Sequence, residues 1–288
     1  FSSGYLANLS VLSTLAESGD VIFSDERNHA SLIDGMRLSR ARRVIFPHND
    51  VNVLARLLRG EPAGGQKFVV TESLFSMDGD MAPLDEYASL CRAHGAALIV
   101  DEAHAVGIYG PRGSGLLEVT RAEALVSIDT AGKALGVCGA FVSGPAWLID
   151  SLIQRARPFI FSTAPPPAVA EALQASLTLI EDEPWRRDRL LSRAAYLRRR
   201  LAEAGVAVPE GVSQIISVVL GDNERAVQVA HALQREGFDA RAIRPPSVPP
   251  GTARLRLSVN AELSESELDR FAAALAGSLE EACSAASS

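Results

Sequence analysis

Apolar positions in this chain follow two alternating periods. Short runs rich in β-branched residues, closed by polar or glycine-containing ends, predict strands at "KFVVTES", "AALIVDEAH", "EALVSIDTAG" and "GAFVSG". Between them the spacing switches to three and four. In "PLDEYASLCRAHG", Leu84, Tyr87, Ala88 and Cys91 fall on one helical face. The opening "FSSGYLANLSVLSTLAESGD" predicts a helix with Leu6, Leu9 and Leu12 on its stripe and Ser2, Ser3 and Gly4 at its start. Strand, helix and strand in series imply the α/β class, a mostly parallel sheet covered by helices on both faces. Ligands of such sheets bind beyond the carboxyl ends of the strands, so chemistry is expected there.

After "STAPPP" the pattern changes. A helix begins at Pro165 to Pro167 with Leu173, Leu177 and Ile180 on one stripe, and a second carries Leu190, Ala194, Leu197 and Leu201. Then come the strand "IISVVLGD", a helix around "ERAVQVAHALQREGF", the strand "ARLRLSV", and a last helix with Leu268, Phe271, Leu275 and Leu279. These segments predict a large domain over residues 1–182 and a smaller C-terminal α/β domain over 183–288. The chain opens at Phe1, without methionine and within what reads as an element, so an N-terminal segment of the large domain is expected to be missing.

Composition narrows the classes. With 288 residues, 47% hydrophobic and 22% charged, the chain has ordinary globular usage and enough apolar mass for two cores. No apolar run reaches the roughly 18 residues that span a bilayer, and no basic start precedes an apolar stretch, so a cytoplasmic protein without a membrane partner is expected. A net charge of -7 argues against a nucleic-acid partner, and "RRDRLLSRAAYLRRRL" reads as the solvated face of a helix. Cys91, Cys138 and Cys283 lack the spacing of a zinc site or a disulfide framework, so no metal is expected.

The strand ends carry the candidate chemistry. Asp101, Glu102 and His104 close the run "LIVDEAH". Such acids also hold magnesium in nucleotide hydrolases, but that chemistry needs a phosphate loop ending in Gly-Lys-Ser/Thr, and Gly132-Lys133 is followed by Ala134. A carboxylate at a buried strand end requires a cationic or donor partner, so Asp101 must face something positive. Lys133 lies in "DTAGKALGVCG", among small residues that leave room for a bulky group. It either snorkels to solvent or, with a lowered pKa, forms a Schiff base with a carbonyl. Pyridoxal phosphate joins both observations, being an electron sink held by a lysine and paired by an acid at its ring nitrogen. The Ser2-Ser3-Gly4 start is either a plain helix cap or a phosphate cradle. Turn chemistry alone accounts for Asp78-Gly79 after Ser76, and a solvated strand face accounts for Arg254 and Arg256, two positions apart.

Taken in order, "SGYLAN", "DERNHASLIDG", "TESLFSMDGDMAPL", "VDEAHAVGIYGPRGSG", "DTAGKALGVCGA", "FSTAPPP" and "IRPPSVPPGTARLRLS" closely resemble the α-oxoamine synthases. These are fold-type-I pyridoxal-phosphate enzymes that condense an amino acid with an acyl thioester and lose carbon dioxide. The similarity runs from Phe1 to about residue 275 and rests on the series rather than on one motif. "FPHNDVNVLARLL" and "AIRPPSVPPGTARLRL" are most similar to the branch serving biotin synthesis, in which L-alanine meets a pimeloyl thioester of coenzyme A or of a carrier protein.

The resemblance implies a role for each matching residue. Lys133 carries the cofactor and later takes the substrate's α-proton, and Asp101 keeps the pyridine nitrogen protonated. His29 stacks on the ring beside bound substrate, while Ser76 and His104 hydrogen-bond its phenolic oxygen. Gly4 and Tyr5 main-chain groups and the Thr130 hydroxyl hold the phosphate. Ser162 matches a residue that reaches a neighbouring subunit's phosphate, which implies a homodimer. Arg256 binds the amino acid's carboxylate, and Ser247 stands in the substrate region where the biotin branch usually has threonine. Three alternatives stay open: a glycine-using relative that makes aminoketobutyrate or aminolevulinate, a non-catalytic subunit, and an inactive truncated chain. The presence of both Lys133 and Asp101 speaks against the second.

Overall fold

In the computed structural model, which describes residues 1–62 and 64–286, the chain divides into two units. One comprises Phe1–Phe75 and Met81–Pro184; the other comprises the excursion Ser76–Asp80 and the chain from Trp185 onward.

The first unit runs α1 (Gly4–Leu15), β1 (Val21–Asp25), α2 (Ala30–Leu38), β2 (Arg42–Phe46), α3 (Val51–Gly60), β3 (Lys67–Glu72), α4 (Leu84–His94), β4 (Ala96–Asp101), α5 (Leu116–Val119), β5 (Val126–Thr130), β6 (Ala140–Ser143), α6 (Ala146–Arg155), α7 (Arg157–Ile160) and α8 (Pro167–Asp182). Its six strands form one sheet in the order β2-β1-β3-β4-β5-β6, parallel except for β6. The central strands read as unbroken apolar runs because helices cover both faces, whereas β2, at the edge, exposes Arg42 and Arg43. Register sets Glu72 beside Asp101 and Asp101 beside Ile128, so β3, β4 and β5 end along a common rim.

The helical period predicts the buried face of α4 residue by residue: Leu84, Tyr87, Ala88 and Cys91 are all buried. It fails for α1, whose buried residues are Ala7, Asn8, Ser10, Val11, Leu12 and Thr14 while Leu6 and Leu9 are half-buried. The physical reason is a close crossing with α2. A Cβ at Gly35 would lie 2.9 Å from the Asn8 carbonyl oxygen, so the crossing selects small and polar residues over leucines. The stripe on α8 is also not a buried one. Leu173 and Ile180 lean on Val106, Ala131 and Leu135, but no α8 residue is buried and Leu177 is exposed.

The second unit contains α9 (Trp185–Glu203), β7 (Ile215–Gly221), α10 (Asn223–Arg235), β8 (Ala242–Ile243), β9 (Ala253–Ser258) and α11 (Glu265–Ala286). Its antiparallel sheet has the order β7-β9-β8, packed on Ala194, Leu197 and Leu201 of α9, Val229 and Leu233 of α10, and Leu268 and Leu275 of α11. The excursion is fastened here: the Ser213 hydroxyl donates to the Gly79 carbonyl at 2.6 Å. Gly79 has φ 76°, and a Cβ on it would sit 2.4 Å from the Ile215 carbonyl oxygen, so glycine is required. Cys91 is buried, which pushes its thiol up to about 12, and Cys138 is exposed. The Cys283 side chain lies outside the described residues. Among the described residues no helix is long and apolar enough to cross a membrane.

Candidate active site

Asp101 ends β4 at 6% exposure. Its Oδ1 accepts from the Ala103 amide at 2.8 Å and its Oδ2 from the Asn8 side-chain amide at 2.6 Å. Both donors are neutral, and each carboxylate oxygen retains accepting capacity. The neighbouring acids are treated differently. Burial pushes Glu102 and Asp129 up to about 7 and Glu72 well above its ordinary value.

Lys133 lies just past the end of β5, the strand paired with β4. The chain folds back tightly there, with Val137 N donating to Ala131 O at 2.8 Å and Ala131 N to Gly139 O at 2.9 Å. Lys133 is exposed, and its Nζ lies 2.9 Å from His104 Nε2. His29 is the N-cap of α2: its Nδ1 accepts from the Ser31 amide at 3.2 Å and sits 2.7 Å from the Ser31 hydroxyl. Burial holds His29 below its ordinary value, while nearby Asp101 acts upward and Lys133 downward. One imidazole therefore feels both the acid and the amine.

Gly4 and Tyr5 open α1, which Ser3 caps by accepting from the Leu6 amide at 3.3 Å. A Cβ on Gly4 would touch the Thr130 Oγ1 at 3.4 Å, so the first-turn amides of the helix converge with a hydroxyl from the end of β5. The Gly4 and Tyr5 amides at the positive end of the helix suit an anion, and the Thr130 hydroxyl beside them donates to Gly139 O at a long 3.3 Å and accepts from Gly132 N at 3.4 Å. The first unit thus gathers Gly4, Tyr5, His29, Asp101, His104, Thr130 and Lys133 at its strand ends. Ser162, after α7, is exposed and bonded to none of them.

These residues fit pyridoxal phosphate. The test is Asp101, a nearly buried carboxylate whose hydrogen-bond partners are all neutral, as suits a site completed by a cationic ring. Asn8 and Ser31 belong to the same centre and are absent from the sequence reading. Their only signal was a polar side chain inside an apolar helix and a hydroxyl two residues after His29.

In the second unit, β9 presents both arginines to the excursion. Arg254 is nearly buried and ion-paired with Asp78, which overturns the solvated-face account of this strand. Arg256 donates from Nε to the Ser76 carbonyl and from Nη1 to the Ser258 hydroxyl at 3.0 Å, and burial lowers its pKa. Its hydrogen-bond partners are neutral, and it borders a cavity of about 620 Å³ lined also by Phe238, Leu263 and Phe271. Ser76 is half-buried, and Ser247 is exposed in a turn where its amide donates to Arg244 O at 3.0 Å.

Residues 1–275 match the family model for aminotransferase class I and II. An 8-amino-7-oxononanoate synthase of Anaeromyxobacter dehalogenans is 50% identical over 279 residues, spanning 96% of this chain and 70% of that protein. A structure of SPT with its PLP internal aldimine superposes with a TM-score of 0.94 at 33% identity, covering 98% of this chain and 72% of that one. The 8-amino-7-oxononanoate synthase of Francisella tularensis gives a TM-score of 0.86 at 29% identity, covering 98% and 82%.

Proposed function

The chain belongs to the aminotransferase class I and II family and groups there with the 8-amino-7-oxononanoate synthases, and from that premise we propose that it joins L-alanine to a pimeloyl thioester. The products are 8-amino-7-oxononanoate, carbon dioxide and the free thiol, a step of biotin synthesis, with pyridoxal phosphate as cofactor. The observation that carries this reading is Asp101, held by neutral donors alone on the strand next to the one that delivers Lys133.

When bound, pyridoxal phosphate supplies the electron sink that makes an α-carbanion and a decarboxylation accessible. The chain's own residues do the rest. The Thr130 hydroxyl and the first-turn amides of α1 bind the phosphate and fix the group's position. Asp101 holds the proton on the ring nitrogen, which deepens the sink. His29 covers the ring face, and His104 with Ser76 hydrogen-bonds the phenolic oxygen. Lys133 would anchor the group through Nζ, and the same atom would take the α-proton of alanine and give a proton back. Arg256 would receive the alanine carboxylate, for which a two-pronged guanidinium is suited, and Ser247 is assigned to the substrate region by resemblance.

A cytoplasmic homodimer is the setting we assign. Its support is the surface after α6: Phe159, Ile160, Phe161, Leu177 and Leu179 are all exposed, α7 and α8 bury nothing, and Ser162 lies among them. Light scattering of the purified chain should give twice the monomer mass.

The decisive experiment is reconstitution with pyridoxal phosphate followed by assay of alanine and glycine with pimeloyl and shorter thioesters. The expected result is a visible absorption band, lost in Lys133→Ala, and turnover that needs alanine and the pimeloyl group. A clear glycine preference would remove the biotin assignment, and a colourless protein would remove the cofactor.

A further inference from the structure

We infer that Asn8 and Ser31 are positioning residues: they tie Asp101 to His29 and hold the imidazole as the neutral tautomer whose proton is on Nε2. The inference rests on the reading of this centre as the pyridoxal-phosphate site and adds to it a relay of fixed direction.

Counting donors gives that direction. The Asn8 side-chain amide has two N–H bonds, one aimed at Asp101 Oδ2 at 2.6 Å and one at the Ser31 hydroxyl oxygen at 2.8 Å. The reverse amide orientation would set Oδ1 against a carboxylate, so Asp101 fixes which way Asn8 faces. The Ser31 amide donates to His29 Nδ1 at 3.2 Å, which makes that nitrogen an acceptor, so the Ser31 hydroxyl, 2.7 Å from it, can only donate to it while its oxygen accepts from Asn8. Two donors converge on Nδ1, which leaves it no proton, and the ring's N–H is on Nε2.

Burial keeps the relay intact. Asn8 is 2% and Ser31 1% exposed, so solvent does not compete for these bonds, and the close crossing of α1 and α2 at Gly35 holds the two helices in register. Asn8 Oδ1 is buried without a hydrogen-bond partner, a cost consistent with an amide retained for its two donors. The consequence is chemical: the group stacked on a cationic ring stays uncharged, with its one N–H on the nitrogen that the relay does not touch.

The test is nitrogen-15 NMR of labelled histidine in the full chain, with and without pyridoxal phosphate, the His29 signals being identified by their absence in His29→Gln. The expected wild-type result at pH 8 is a protonated Nε2 and a bare Nδ1 in both forms. Ser31→Ala should give a mixture of tautomers, Ser31→Thr should restore the single one, and Asn8→Ala should weaken pyridoxal-phosphate binding about tenfold. A wild-type His29 with its proton on Nδ1 overturns the inference, and a Ser31→Ala protein that keeps the single tautomer as fully as Ser31→Thr overturns the part given to the hydroxyl, since the amide of residue 31 alone would then set it. The wild-type spectrum decides even where a variant fails to fold. A chain that binds no pyridoxal phosphate would instead sink the functional reading, and the spectrum of the cofactor-free protein would still report on the relay.

Discussion

Asp101 in the first unit and Arg256 in the second are desolvated charges of opposite sign, and each differs from its like-charged neighbours in the same way. Burial raises the pKa of Glu72, Glu102 and Asp129, and Asp101 accepts from two neutral donors, the Asn8 side-chain amide and the Ala103 amide. Arg254 is neutralised by Asp78, whereas Arg256 is held by a carbonyl and a hydroxyl. Neutral partners orient a charge without cancelling it. A group so treated is ready for a charged ligand, a cation at Asp101 and an anion at Arg256.

The largest effect is expected where the ligand's charge must persist through the reaction. Asp101→Asn keeps the shape and removes the charge, so the ring nitrogen loses its proton and the electron sink weakens. Turnover should fall by roughly a thousandfold, about 4 kcal/mol of barrier, with the visible band of the bound cofactor altered. Steady-state kinetics with the spectrum of the same sample checks it; a loss under tenfold would mean that Asp101 is only a structural acid.

The neighbour that is neutralised should matter for stability instead. Asp78→Asn leaves Arg254, whose side chain is 6% exposed, without its counter-charge. Urea unfolding should show a loss of about 3 kcal/mol, the cost of a stranded buried charge. A change within about 0.5 kcal/mol, the range of ordinary surface substitutions, would show that the pair is worth no more than an exposed ion pair.

How much of this contrast the sequence carried depends on distance along the chain. The face of α4, the strand ends at Asp101 and Thr130, and the loop of Lys133 were legible because each is written within about ten residues. The failure at α1 had a different cause. Its leucine stripe was read as the core, but the crossing with α2 at Gly35 is a long-range contact that turns Asn8 and Ala7 inward. The relay through Asn8 and Ser31 stayed hidden for that reason, as did the Asp78–Arg254 pair, which joins positions 176 apart. Residues whose partner is sequence-remote look like cap or turn residues until the fold brings the partner in.

Arg256→Met sharpens the comparison from the other side. The loss of one charge-assisted contact to a carboxylate should raise KM for alanine about 10- to 100-fold while uptake of pyridoxal phosphate stays as in the wild type. Arg256→Lys should recover part of the loss, because an ammonium keeps the charge but not the planar fork. If Arg256→Met instead abolished cofactor uptake, the division of labour between the two charges would be wrong.

The smallest effect concerns the acids that hold their protons. Burial places the Glu102 pKa at about 7, against the smaller downward pull of the Ser73 hydroxyl and of the Leu117 amide, which donates to Oε2 at 3.4 Å. A carboxyl whose folded pKa lies above its unfolded value contributes stability that is complete below the unfolded value, near 4.5, and is lost as pH rises through about 7. Over that window the folded chain binds more protons than the unfolded one, so the melting temperature of the wild type should fall between pH 5 and pH 8. Glu102→Gln keeps an acceptor for Leu117 and cannot ionise. It should flatten the decline without removing it, since Asp129 contributes a similar share, and it should be about 1 kcal/mol more stable relative to wild type at pH 8 than at pH 5. Parallel melting curves for the two proteins across the window would mean that Glu102 is already ionised in the folded state. The contrast would then reduce to Asp101 being one of several charged acids on the rim.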